Sequence, residues 1–100
     1  MSITGPQAKA ARALVQWPRD LVARRAGISE DTLAAFERGN VDPGEDIRRQ
    51  IQVVLQEGGA VFIDENDSHG RGVRLKFSHR DVRSIRRLEN EGGPVADDDV

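Results

Sequence analysis

One hundred residues with a net charge of −2, no cysteine and four aromatic side chains leave room for one modest, mainly aliphatic core. Disulfide scaffolds, thiolate zinc sites and thiol chemistry are thereby excluded. No stretch approaches the ~20 apolar residues of a membrane-spanning helix, and no long apolar run opens the chain, so the expected setting is cytoplasmic.

The first predicted element is a helix over Gly5 to Gln16, with Ala10, Ala13 and Leu14 at helical spacing. Thr4 suits its N-cap, and Pro6 fits a first turn, where a missing N–H costs nothing. Trp17-Pro18 interrupts it, because the residue before proline avoids helical torsions. A second helix is expected from Pro18 to Arg25, closed by Gly27. Ser29 then caps a third over Glu30 to Glu37, whose inward edge is Leu33 and Phe36. Asp42-Pro43-Gly44 marks a turn. A fourth helix, Glu45 to Glu57, carries Ile47, Ile51, Val54 and Leu55 on one face and stops at Gly58-Gly59.

Beyond that point the periodicity changes. Ala60 to Asp64 and Gly72 to Phe77 read as two strands, the second with Val73, Leu75 and Phe77 in alternation. A two-stranded hairpin is marginal alone, so it must pack on the helices or pair with another chain. Ser78 caps a predicted fifth helix, with Asp81 as its capping-box partner. Val82, Ile85 and Leu88 form its apolar stripe, and Arg80, Arg83 and Arg87 lie opposite. Residues 91–100, with two glycines, a proline and Asp97-Asp98-Asp99, read as a disordered acidic tail. The expected class is therefore mainly α. It comprises a four-helix domain over 1–58, a β-hairpin over 59–77, a basic amphipathic helix over 78–90 and the tail.

Charge is segregated along this layout. Residues 1–40 balance to +2, 41–70 to −5, 71–87 to +6 and 88–100 to −5. Binding follows local potential, so a mildly acidic total does not exclude a polyanionic partner. Enzymatic chemistry finds little support. His69 and His79 lack metal-ligand spacing, no glycine-rich phosphate loop follows a strand, and no serine has a nucleophile's surroundings. No cofactor or metal is expected.

The second and third helices, joined through Ala26-Gly27-Ile28-Ser29, meet the requirements of a helix-turn-helix. Ala23 is small where the helices cross, Gly27 tolerates positive φ, Ile28 supplies an apolar plug, and Leu33 faces inward. The matching text extends further, through Ile3-Thr4-Gly5, Ala10 to Leu14, Trp17, Leu21 to Ser29, Thr32-Leu33 and Phe36 to Gly39. It closes on Val61 to Asp64 and Gly72 to Leu75. Over residues 3–77 the chain resembles the Cro/lambda-repressor (XRE-like) helix-turn-helix family, in particular small bacterial members with a hairpin after the helical domain.

That resemblance implies a lambda-repressor-like fold and a sequence-specific DNA-binding regulator. It pairs Arg12 of the first helix with Glu37 at the end of the recognition helix. It turns Ser29, Glu30, Asp31, Thr32 and Ala35 toward the groove and gives phosphate contacts to Arg19, Arg38, Asn40 and Arg48. Where the family usually carries glutamine, this chain has Arg19, which brings more charge to a phosphate. Glu30 and Asp31 suit a helix N-terminus and can accept from cytosine N4, yet they repel phosphates.

A homodimer through the hairpin on an inverted-repeat operator is expected, located at the nucleoid. Arg74, Arg80, Arg83 and Arg87 offer a second DNA contact or a dock for an acidic partner, or they simply solvate the last helix. The rival reading is a protein-interaction module that binds another regulator through its acidic recognition helix or its basic last helix.

Overall fold

The computed structural model describes residues 2–78, and the expected fifth helix beyond Ser78 and the acidic tail lie outside them. Within that span lie four helices, α1 (Gly5–Val15), α2 (Arg19–Ala26), α3 (Glu30–Glu37) and α4 (Glu45–Glu57). An antiparallel pair, β1 (Ala60–Ile63) and β2 (Gly72–Leu75), follows. The domain is mainly helical, as expected. Among the described residues no helix is long and apolar enough to cross a membrane.

Local chemistry accounts for the helix ends. Thr4 Oγ1 accepts from the Gln7 N–H at 3.2 Å while Gln7 Oε1 accepts from the Thr4 N–H at 3.0 Å, a reciprocal capping box. Ser29 Oγ accepts from the Thr32 N–H at 3.0 Å and opens α3. Pro18, predicted as the first residue of the second helix, is instead its N-cap, because its extended backbone (φ −71°, ψ 158°) lies outside the helical region. At the other end α2 runs on to Ala26 before Gly27 takes φ +74°. Both strands are shorter than predicted, ending at Ile63 and Leu75, where the cross-strand register from 60/75 to 63/72 stops.

The buried face of α1 departs from its apolar spacing. Ala10 and Ala13 are exposed and Leu14 is 38% exposed, whereas Gln7, Ala8, Ala11 and Val15 face inward. Small residues at 8 and 11 let α1 approach its neighbours closely, and Gln7 crosses to the sheet. Its Nε2 donates to the carbonyls of Gly72 at 2.9 Å and Ile63 at 3.3 Å, tying both strands to α1. A buried amide with its donors and acceptor engaged is tolerated where an unpaired one would not be.

The helices close around Ile3, Val22, Leu33, Ile51 and Leu55, all essentially inaccessible. Ile51, Val54 and Leu55 of α4 are buried and Ile47 packs at their margin, as the spacing predicts. The sheet lays Ala60, Phe62, Val73 and Leu75 against this core. β1 packs on α1 and α4, and β2 packs on α1.

Candidate nucleic-acid interface

Two short helices and a three-residue connection set the geometry of this surface. Ile28 follows the left-handed Gly27, returns its N–H to the Ala23 carbonyl at 3.0 Å, and packs its side chain against the core. Ala23 and Leu33 are buried where α2 and α3 meet. The chain thus leaves α2, turns once and enters α3 with the Ser29–Asp31 edge in solvent.

A buried carboxylate holds the far end of α3. Glu37 has a side chain only 2% exposed and takes two parallel bonds from Arg12, Nε to Oε2 at 2.7 Å and Nη2 to Oε1 at 3.0 Å. Such a bidentate contact fixes orientation as well as distance. The hydrogen bond that it donates to Glu37 holds the Arg12 guanidinium above its already high ordinary pKa, against the opposing effect of burial. The expected pair between α1 and α3 is therefore present.

Arg19 was expected to hold a phosphate, and its Nε lies 3.6 Å from Glu37 Oε1 while the side chain stays 42% exposed. The same carboxylate thus anchors α3 and steers the cation at the start of α2. Sequence reasoning missed this second partner, which no spacing rule could reveal across 17 residues of intervening chain.

The remaining predicted contacts are distributed unevenly. Ser29, Glu30 and Asp31 are exposed, Thr32 and Ala35 are half-buried, and Thr32 Oγ1 accepts from the Ser29 hydroxyl at 2.8 Å. Among the described residues neither Glu30 nor Asp31 enters an ion pair, and Arg38 and Asn40, which follow α3, are exposed. Arg74 is exposed on β2 and donates to the Leu75 carbonyl at 3.1 Å. Arg80, Arg83 and Arg87 lie outside the described residues. Among those described, no three His, Asp or Glu side chains converge into a metal-sized cluster.

Arg48 has a closer engagement than a phosphate. Its Nη1 donates to Asp42 Oδ1, which also accepts from the Gly44 N–H at 2.9 Å, and the Arg48 side chain is 19% exposed. The Gly44 N–H first, and Arg48 second, hold the Asp42 carboxyl below the usual carboxylate range. A depressed folded-state pKa contributes stability that is present above the unfolded value and lost as pH falls through the folded one. In Arg48→Ala, carboxyl NMR is expected to show Asp42 titrating higher than in the parent but still below the usual range, because the Gly44 contact survives. An unmoved midpoint would remove Arg48 as a cause.

Compared with known proteins, the chain matches no protein-family model and no curated protein sequence.

Proposed function

We propose that this chain is a DNA-binding transcriptional regulator of the Cro/lambda-repressor type, with α3 as the recognition helix and a binding rather than a catalytic role. The observation that carries this reading is the rigid seating of α3. Its end is clamped by the Arg12–Glu37 pair, whose carboxylate is buried, and its Ser29–Asp31 edge stands in solvent beside a turn of helix-turn-helix geometry. A helix held at both ends can place side chains in a major groove without an ordering cost at each encounter.

Electrostatics divides the labour on that surface. Arg19, Arg38 and Asn40 hold the backbone, with Arg48 available only by leaving Asp42. Glu30, Asp31, Thr32 and Ala35 meet base edges, where carboxylates select cytosine N4 and the alanine methyl suits thymine. Two copies then read an inverted repeat with half-sites about 34 Å apart. Arg74 and the later arginines, Arg80, Arg83 and Arg87, add sequence-independent attraction.

Glu30 and Asp31, exposed and in no ion pair among the described residues, favour one second reading, a module whose acidic helix docks a basic surface on another protein. Gel retardation on the DNA upstream of the protein's own coding region, run as a salt series, separates the two. The DNA reading expects retardation that fades steeply with salt and a slope reduced by about one in Arg19→Ala. Absence of retardation even at low salt rejects it.

A further inference from the structure

We infer that residues 79–90 fold back on their own domain, laying Val82, Ile85 and Leu88 along the outward apolar stripe of α1 and running antiparallel to it. The inference goes beyond the regulator reading and stands whether or not the chain binds DNA.

The stripe is the first observation. Ala10, Ala13 and Leu14 recur at i, i+3 and i+4 on a helix whose other apolar side chains, Ala8, Ala11 and Val15, are buried. The described residues leave these three in solvent, with Leu14 38% exposed. Trp17 stands half-buried just past the end of that helix.

The second observation is where the chain leaves the domain. Gln7, in the first turns of α1, donates to the Gly72 carbonyl at the start of β2. At the other end of β2 the Lys76 N–H donates to the Gly59 carbonyl at 2.7 Å. Gly59 adjoins Gly58, where a Cβ would stand 3.1 Å from Cη2 of Trp17. The strand therefore follows α1 from its beginning to the Trp17 corner, and Phe77, 39% exposed, emerges there. With Ser78 as its cap, Val82 lies only ~6 Å along a helix and stays at that corner. The rest of the segment then returns along α1, which sets the antiparallel direction.

Length and charge agree with this occupant. Val82 to Leu88 spans six residues, ~9 Å as a helix, which equals the run from Ala10 to Gln16. Asp81 and Glu89 border the two ends of the segment's apolar stripe. Docked antiparallel, Asp81 comes beside Arg25, which is exposed and lies 4.9 Å from the centre of the Trp17 ring. Glu89 comes beside Lys9, exposed and in no ion pair among the described residues. Arg80, Arg83 and Arg87 are left facing solvent, so the dock mounts a cationic surface on the α1 side of the domain.

Trp17 is the chain's one tryptophan and reports on the corner directly. In the full chain, Ile85→Asp is expected to raise acrylamide quenching of its fluorescence about twofold, because a carboxylate in the contact releases the segment. Leu14→Asp should do the same from the other side. Should Leu14→Asp fail to fold, Ile85→Asp keeps the test, since it changes no residue of the described domain. Arg83→Gln, on the face turned away, should leave quenching at the parent rate. Because the chain has no cysteine, direction is read by oxidation. Ala10→Cys with Leu88→Cys should close a disulfide within one chain, and Ala10→Cys with Val82→Cys should not.

An unmoved quenching rate in either folded aspartate variant overturns the inference. So does a rise in Arg83→Gln equal to that in Ile85→Asp, since the basic face would then be the one in contact. A disulfide-linked dimer as the main product of the Ala10→Cys/Leu88→Cys chain gives the stripe to a second copy's segment and overturns the fold-back. Preferential closure of the Ala10→Cys/Val82→Cys pair overturns the antiparallel direction.

Discussion

Arg12→Ala is expected to cost about 3–5 kcal/mol and to lower the melting temperature by more than about 10 °C. The substitution leaves the Glu37 carboxylate, 2% exposed, without its two parallel donors, and Arg19 at 3.6 Å supplies one distant contact in their place. Most of the loss is the desolvation of an unpaired charge, not the worth of the pair. Arg12→Ala/Glu37→Ala should therefore be more stable than Arg12→Ala alone, since it removes the stranded charge as well. Urea unfolding of the parent, both single variants and the double variant measures the coupling directly. A parent-like midpoint in Arg12→Ala would show that the pair does not hold α3. Under the regulator reading, DNA retardation should fall with the pair, because α3 loses its far anchor.

Gly5→Ala is expected to destabilise by about 3 kcal/mol, although alanine is the better helix former. A Cβ at Gly5 would overlap the Phe36 carbonyl oxygen and lie 2.9 Å from its carbonyl carbon. Both obstacles are backbone at the end of α3, so neither can rotate away as a side chain would. Relief requires α1 and α3 to move apart, which also stretches the Arg12–Glu37 contact. Gly27→Ala is the informative control. Its Cβ meets nothing within 4 Å, and only the left-handed torsion of φ +74° opposes it, a penalty of about 1 kcal/mol. Thermal melts that rank the two variants the other way would mean that close helix approach is not what Gly5 provides.

These two residues illustrate different degrees of legibility. Gly27 announces itself, since a glycine three residues before a Ser-capped, acid-rich start is a local signal with a local cause. Gly5 at the first turn of a helix carries no such mark, because the atoms that require it lie about thirty residues away in Phe36. Likewise Thr4 and Gln7 spell a capping box, yet nothing near Gln7 discloses that its amide also bridges two strands. Leu14 reads as core by composition and stands partly in solvent, because α1 is oriented by Ile3, Ala8, Ala11 and Val15 meeting the other elements. Trp17-Pro18 marks where α1 ends, but nothing marks how: Gln16 takes φ +62°, a conformation usually left to glycine.

In the candidate interface, the Arg12–Glu37 pair came from resemblance, and its geometry is that of a clamp. The destinations of Arg19 and Arg48 were not readable, because an arginine side chain reaches several elements and takes the nearest carboxylate. Which carboxylate is nearest depends on how α1, α3 and the 42–44 turn are brought together.

The amino-acid order alone was enough to specify where α3 and α4 begin and end, where the chain turns between α2 and α3, and that a hairpin follows. Capping, glycine torsions and apolar periodicity act within a turn or two of the residues that carry them. Packing alone decided which face of α1 is buried and which cation steers toward Glu37. Those outcomes depend on atoms distant in sequence, and a side chain's environment exists only once the elements have met.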